Sequence, residues 1–295
     1  IMKKTMLLFA AGLCFAGAAM SQDGEVYENK NGEAVLPASG DWAIGFDAAP
    51  FLNYAGNLLN SGATSPTADW TDANTMDITG KMFVDANTAY RVRLRLGFGS
   101  GTWTNKVTDD KAVYDAGQAG NLVVDDVVDD VLKVSYNAIT LGAGMEKRRG
   151  SGRVQGVYGG EALISLGGGK STYTYGNDYS DDYATTSTDW GLGNINGAER
   201  STEQNPGGTF GLAVRGFIGV EMFVFPKVSI AAEYGWGLGF SSTGDGTEST
   251  EEWGLTNATA TANSKIEHEY ATGGASSFGI DTDNSGGQLK IMFHF

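Results

Sequence analysis

Charged residues alternate with apolar ones along several segments of the chain. In residues 90–98, Arg91, Arg93 and Arg95 occupy every second position, so in a β-strand all three lie on one face. The same alternation puts eight more charged side chains on the matching face of other segments: Lys81, Arg215, Lys290, Asp47, Asp77, Glu161, Glu221 and Glu233. Basic and acidic groups nearly balance. This predicts a salt-bridged interior network, with an ion path as the functional alternative.

A longer alternation lies in residues 208–240, which Pro226 and Lys227 divide into two halves. One face of the second half is apolar, and the other face is small or charged, with Gly235, Gly237 and Gly239 at alternate positions. The apolar positions of the two halves are Phe210, Leu212, Val214, Ile218, Val220, Met222, Val228, Ile230, Ala232, Tyr234, Trp236, Leu238 and Phe240. This pattern predicts a β-hairpin whose polar face lines a narrow space.

An unbroken apolar face opposite a polar one is typical of a strand with lipid on one side. Backbone groups in lipid find no water, so sheets cross membranes only as closed barrels. The sequence therefore predicts an all-β fold, a transmembrane antiparallel up-and-down β-barrel with four long outer loops and short periplasmic turns. The eight predicted strands are residues 41–54, 76–84, 90–98, 132–145 and 154–166, two strands within 208–240, and 288–295.

The four predicted outer loops are residues 55–74, 99–131, 167–207 and 241–284. Tight turns are predicted at residues 85–88, 146–153 and 226–227. The alternation changes phase near Ala138, which predicts a bulge with residues 132–137 protruding, and Pro50 predicts a second irregularity in the first strand. An even number of strands places both termini in the periplasm.

Residues 1–21 have the basic start, apolar middle and small-residue end of a secretory signal peptide, and residues 22–40 are predicted to form a periplasmic leader. The barrel is then expected over residues 41–295. Cys14 lies in the signal segment, so the mature chain is predicted to have neither disulfides nor thiolate metal sites. The formal net charge of −15 argues against nucleic acid as a partner.

Four segments carry a resemblance to a known family. They are DWAIGFDAAPFLNYAGNL, ITLGAGMEKRRG, RVQGVYGGEALISLG and QLKIMFHF, which begin at Asp41, Ile139, Arg153 and Gln288. Together they resemble the small, porin-like outer-membrane β-barrel proteins that include outer membrane protein X and the transmembrane domain of outer membrane protein A. The resemblance implies that Phe293 and Phe295 form the signal that the barrel-assembly machinery reads.

Candidate catalytic and metal-binding residues are few. The chain has two histidines, His268 in the last predicted loop and His294 near the periplasmic end, and neither lies in a recognisable base-plus-nucleophile pattern. The acidic segments 125–130 and 178–182 offer oxygen ligands for calcium but lack the spacing of an EF-hand loop. The sequence therefore predicts no enzymatic activity, no cofactor and no metal, with the acidic loops and His268 solvated.

The sequence predicts a surface structural or interaction scaffold with a charge-plugged lumen, serving adhesion, partner docking or envelope integrity. A narrow channel for ions or small solutes is the alternative, and a surface lipid-modifying enzyme or protease is the third hypothesis. The expected partners are outer-membrane lipid, the barrel-assembly machinery during insertion and an extracellular partner bound by the acidic loops. We expect a monomer in the outer membrane of a Gram-negative bacterium.

Overall fold

A computed structural model describes residues 28, 30, 32, 34–48, 77–120, 125–150, 152–182, 186–188, 190, 199–282 and 288–295. These residues form one antiparallel sheet of twelve strands and one short helix. The prediction of an all-β antiparallel fold is confirmed, and the sheet has four strands besides the eight of the predicted barrel. The predicted signal peptide, most of the leader, Pro50 and the loop 55–74 lie outside the described residues.

The strands are β1 (Trp42–Asp47), β2 (Ile78–Asp85), β3 (Thr88–Thr108), β4 (Val127–Arg149), β5 (Val154–Thr174), β6 (Arg200–Asn205), β7 (Thr209–Phe225), β8 (Val228–Thr243), β9 (Gly246–Gly254), β10 (Ser264–Thr272), β11 (Ala275–Thr282) and β12 (Gln288–His294). The helix α1 (Asp110–Gln118) follows β3, and Asp109 caps its start by accepting a hydrogen bond from the backbone of Ala112. In the described part of the chain, no helix is long and apolar enough to cross a membrane.

Eight of the strands are joined in a continuous path of antiparallel pairs. The path runs from β1 through β2, β3, β4, β5, β7 and β8 to β12. β12 also pairs with β1, where Ala43 lies opposite His294 and Asp47 opposite Lys290. The path therefore returns to the strand from which it began.

β3 and β4, the strands on either side of the predicted loop 99–131, are much longer than predicted. The β3–β4 register runs without a shift from Thr88 opposite Lys147 to Thr108 opposite Val127. The prediction of a loop over residues 99–131 is therefore wrong at both ends. The predicted bulge near Ala138 is also wrong, because Ala138 lies opposite Gly97 in an unshifted register. The apolar alternation fades here, but β-branched residues such as Val107, Val128 and Val131 still favour extended backbone.

The predicted loops 167–207 and 241–284 also contain strands. β5 continues to Thr174 and β8 to Thr243, and β6, β9, β10 and β11 extend the sheet. β9 pairs with β6 and β10, while β11 pairs with β8. β6, β9 and β10 are rich in Ser, Thr and Glu, so hydrophobic alternation does not mark them, whereas β11 carries Phe278 and Ile280 on one face. We call β6, β9, β10, α1 and the outer halves of β3, β4 and β5 the extension.

The short connections agree with the sequence except at one turn. Residues 86–87 join β2 to β3, and Pro226 and Lys227 join β7 to β8, with Lys227 at φ 64°. The turn predicted at 146–153 is shorter, because β4 continues to Arg149. The last residues of the leader pack against β2, since Val35 is buried and the Gly40 N–H donates to the Phe83 carbonyl at 2.8 Å.

We predict that Gly237→Ala destabilises the protein by about 1–3 kcal/mol, the usual cost of forcing extra volume into packed structure. A Cβ at Gly237 would lie 2.6 Å from the Val214 carbonyl oxygen and 3.2 Å from the Arg215 Cα, so backbone must move. Gly239→Ala is the control on the same face of β8, because its nearest neighbour would be the Ala213 Cβ at 4.0 Å. Guanidinium titrations of both variants measure the difference, and equal midpoints would contradict the prediction.

Candidate functional site

Most of the predicted charged residues come together on the buried side of the closed path. Ten of the eleven are buried: Lys81, Arg91, Arg93, Arg215, Lys290, Asp47, Asp77, Glu161, Glu221 and Glu233. Arg95 is half-buried and lies opposite Thr140 in the β3–β4 register. We call the ten buried residues, together with Glu146 and Arg148, the charge cluster.

Arg91 is the most connected member of the charge cluster. Its Nη1 and Nη2 donate to the two carboxylate oxygens of Glu233, each at 2.7 Å, in a bidentate pair. Glu146 and Glu161 lie 3.5 Å from the same guanidinium. The guanidinium also lies 4.4 Å from the centroid of the Phe217 ring. Phe217, the bulky exception on the polar face of its segment, therefore supplies a cation–π contact inside the cluster.

Glu221 forms a second centre. It accepts hydrogen bonds from Lys81 at 3.2 Å and from Arg148 at 2.8 Å. Lys81 also donates to Glu146 at 2.8 Å. The side chains of these four residues are at most 1% exposed, so the pairs are held away from water.

The remaining members link these two centres to β5, to β12 and to Asp77, which precedes β2. Arg93 contacts Asp77 at 3.1 Å and Glu161 at 2.8 Å, and Arg215 donates to the same Glu161 at 2.9 Å. Lys290 lies 3.5 Å from Asp77 and 3.9 Å from Glu233. Seven of the eight strands of the closed path therefore contribute a charged side chain to one network. On β1, Asp47 is buried and lies opposite Lys290 in the register.

The sequence analysis missed Glu146 and Arg148. Both belong to the run EKRR, which resembles a solvated turn because four consecutive residues are charged. The inward positions of β4, Gly142 and Gly144, continue in steps of two to Glu146 and Arg148. This two-residue period is the sequence signal that could have placed Glu146 and Arg148 in the interior. Only Lys147, which is half-buried, and Arg149, which is exposed, fit the interpretation as a turn.

Ser229, His294 and Glu221 bring a hydroxyl, an imidazole and a carboxylate together, as in a hydrolase. The geometry differs from a catalytic triad, where the carboxylate and the hydroxyl engage opposite ring nitrogens. Here the Ser229 hydroxyl and Glu221 both lie against His294 Nε2, at 2.9 and 3.1 Å, and Ser229 donates directly to Glu221. All three residues are at most 4% exposed. The arrangement holds Glu221 in place and offers no nucleophile to a substrate.

The extension has a buried polar centre of its own. Arg200 lies between the rings of Tyr175 and Tyr179, with its guanidinium carbon 4.1 and 4.2 Å from their centroids. It also donates to Glu251 at 2.8 Å and to the backbone carbonyl of Asn177 at 3.0 Å. Burial raises the pKa of the Tyr175 hydroxyl, so this ring stays neutral under the cation.

The acidic segments proposed as calcium ligands contain residues with structural partners. Asp130 is buried and accepts hydrogen bonds from the backbone of Gly176 at 2.9 Å and from the Thr188 hydroxyl. Asp181 accepts from Trp253 at 2.9 Å and from Asn263 at 2.7 Å, and these bonds lower its pKa. The prediction that the segments are solvated is wrong at Asp130, which is buried. Asp181 is exposed, and its hydrogen bonds tie its loop to β9.

His268 is also not a solvated loop residue. It lies on β10, is half-buried, and places its Nε2 3.1 Å from Glu252 Oε1. Its ring stacks on Tyr270 at a centroid distance of 5.9 Å. The Tyr270 hydroxyl donates to Glu199, and this hydrogen bond lowers the pKa of that carboxyl.

We predict that Glu221→Gln destabilises the fold by about 3–5 kcal/mol, the cost of leaving buried charges without their partner. The substitution keeps the side-chain volume but removes the charge that Lys81 and Arg148 share. The control is Asp129→Asn, which breaks an exposed pair with Lys106 and should change stability by less than about 1 kcal/mol. Denaturant titration measures both, and a similar small loss for the two variants would show that the cluster is not needed.

No family model, curated protein or solved structure matches this chain. The resemblance of its four segments to small outer-membrane proteins therefore stays a prediction. The charge cluster, the surface that surrounds it and the extension are the features of the molecule that bear on its function.

Proposed function

We propose that the chain is an eight-stranded outer-membrane β-barrel whose lumen is closed by the charge cluster and whose extension acts as a surface interaction scaffold. The observation that carries this proposal is the path of strand pairs that returns to β1 with the charge cluster on one side and apolar residues on the other. A sheet that pairs with itself in this way leaves no open edge along the path, as lipid requires.

The outer surface of the path supports insertion into lipid. Apolar side chains on all eight strands are register partners of one another in two rows. The first row runs from β1 to β8 and the second joins β8 to β12 and back to β1: Phe46, Ile78, Leu94, Leu141, Ile164, Leu212 and Phe240, then Ile230, Ile291 and Phe46. Several of these are highly exposed, including Leu141 at 53% and Ile164 at 48%. A continuous apolar band of this kind is unfavourable in water and suits the hydrocarbon core.

Aromatic residues lie nearer the short turns on the same outer surface. Trp42, Tyr90, Tyr158 and Tyr234 are each between 39% and 56% exposed. Aromatic girdles of this kind mark the edge of the hydrocarbon region in membrane barrels. The ends of β1 and β12 meet on this side, where the Trp42 and Phe295 backbones exchange hydrogen bonds. We therefore assign this end, with both chain termini, to the periplasm.

The charge cluster supports a closed lumen because its ion pairs cross the interior. Around the closed path, β3 is four strands from β8 in either direction, and β2 is four strands from β7. Arg91 on β3 contacts Glu233 on β8 at 2.7 Å, and Lys81 on β2 contacts Glu221 on β7 at 3.2 Å. Side chains that meet across the diameter of an eight-stranded barrel leave little space for water or ions.

The extension supports a role at the cell surface. A barrel strand needs about 9–11 residues to cross a bilayer, whereas β3 has 21, β4 has 23 and β5 has 21. Their outer halves, with α1, β6, β9 and β10, would stand clear of the membrane. Its Arg200 centre holds the extension in a defined shape, which suits docking of an extracellular partner.

The proposal extends to partners and assembly. Phe293 and Phe295 are 42% and 61% exposed, so both rings are accessible to the barrel-assembly machinery. Outer-membrane lipid contacts the apolar band, and no second copy is needed to complete the closed path. We propose a monomer with no enzymatic activity.

We predict little or no steady current from the wild-type protein in planar lipid bilayers, because the ion pairs fill the lumen. Arg91→Ala removes one of the pairs that cross the interior and should produce small, flickering openings. Lys106→Ala, which affects an exposed pair in the extension, is the control and should stay closed. Large steady currents from the wild type would reject the closed lumen and favour a narrow channel.

We predict that Leu141→Arg weakens folding into lipid vesicles by about 2–4 kcal/mol, the cost of a cation at the middle of the lipid-facing surface. Val127→Arg is the control on the same face of β4, since Val127 is 49% exposed and Leu141 is 53% exposed. Val127 lies near the outer end of β4, so its substitution should have little effect. Denaturant titrations in lipid vesicles measure the effects of both substitutions. Equal effects would show that Leu141 does not face the middle of a membrane.

A further inference from the structure

We propose that Glu199, Glu252 and His268 form a binding site for one divalent transition-metal ion, best suited to Zn²⁺, on the surface of the extension. The three donor atoms lie within 4.8 Å of one another. The site involves neither the charge cluster nor the membrane, so it stands independently of the proposed function.

The sheet register brings the three residues to one face. His268 on β10 lies opposite Thr250 on β9, and Glu252 is two residues along β9 from Thr250. Glu199 precedes Arg200, which pairs with Glu251, so Glu199 lies beside Glu252. The donors therefore come from three adjacent backbone segments: β9, β10 and the residue that directly precedes β6.

The distances are close to those of a coordinated ion. Two ligands at about 2.0–2.1 Å from a tetrahedral Zn²⁺ are about 3.3 Å apart. Glu252 Oε1 and His268 Nε2 already lie 3.1 Å apart. Glu199 is exposed, whereas Glu252 and His268 are half-buried, so a small side-chain rotation can bring Glu199 into place. Three protein ligands leave a fourth position for water.

Hydroxyl groups orient the Glu199 carboxylate. Tyr270 donates to its Oε1 and Thr250 donates to its Oε2, each at 2.7 Å. A carboxylate has about four lone-pair directions, so both oxygens keep one that can bind a metal. Hydrogen bonds of this kind to ligating carboxylates fix their direction in metal sites. Tyr270 also stacks on His268, so one side chain positions two of the three donors.

The local charge favours a cation. Within the described ranges, neither Glu199 nor Glu252 forms an ion pair with a lysine or arginine. The nearby cations Arg200 and Lys265 instead contact Glu251, which projects to the opposite face of β9. Two carboxylates face each other with His268 between them, and a divalent ion would offset their repulsion.

The donor set distinguishes between metals. An imidazole with two carboxylates suits Zn²⁺ and its neighbours, whereas Ca²⁺ takes six to eight oxygen ligands and Mg²⁺ keeps most of its waters. We therefore expect Zn²⁺ to bind in the presence of a large excess of Ca²⁺ and Mg²⁺.

The test is calorimetric titration of the untagged full chain, stripped with a chelator, with ZnCl₂. We expect one Zn²⁺ per chain, with affinity reduced about 100-fold or more in His268→Ala and about 10–100-fold in Tyr270→Phe, which removes only the orienting hydroxyl. Glu267→Gln is the control, because Glu267 lies on β10 but contacts Lys265 on the other face. Circular dichroism confirms that each variant keeps its sheet.

Cobalt provides a second measurement that a change in stability cannot imitate. Co²⁺ bound by one imidazole and two carboxylates should give a visible absorption band in the wild type that His268→Ala lacks and Glu267→Gln retains. Zn²⁺ binding that His268→Ala leaves unchanged, or displacement of Zn²⁺ by equimolar Ca²⁺, would overturn the proposal.

Discussion

The ion pairs that cross the interior between opposite strands are the constraint on which the other features depend. Arg91 reaches Glu233 and Lys81 reaches Glu221, and each carboxylate belongs to a strand four places away around the closed path. A buried charge is tolerated only when its partner is close, so these pairs fix the distance between opposite walls. That distance in turn limits the other inward residues. Gly142 and Gly144 have no Cβ, which leaves room for Arg93 and Glu161.

Which face each residue occupies could be predicted from sequence, because strand geometry reverses the face at every residue. Ten charged residues assigned to the interior are buried for that reason. Their partners could not be predicted, since alternation identifies a face but not the residue across from it. Glu146 and Arg148 were predicted to lie in a turn, because the four consecutive charged residues concealed the two-residue period that identified Arg91 and Arg93.

The extension was predicted poorly for a different reason. β9 and β10 are polar on both faces, so their strands depend on backbone pairing and on contacts such as Arg200 between Tyr175 and Tyr179. No hydrophobic pattern marks such a strand in the sequence. The proposed metal site could not be predicted for the same reason. In the sequence His268 looks like an isolated loop residue, and only the β9–β10 register places it beside Glu252.

The pairing of β12 with β1 also constrains the order of folding. These strands lie at opposite ends of the described chain, yet Ile44 pairs with Phe293. Contacts between residues so distant in sequence form slowly, because a long loop must close first. Until then β1 and β12 are both open edges, which can pair with other chains and aggregate. Phe293 and Phe295 lie in the segment that completes the ring. A factor that held this segment would therefore control the last step of closure and protect the chain while it waits.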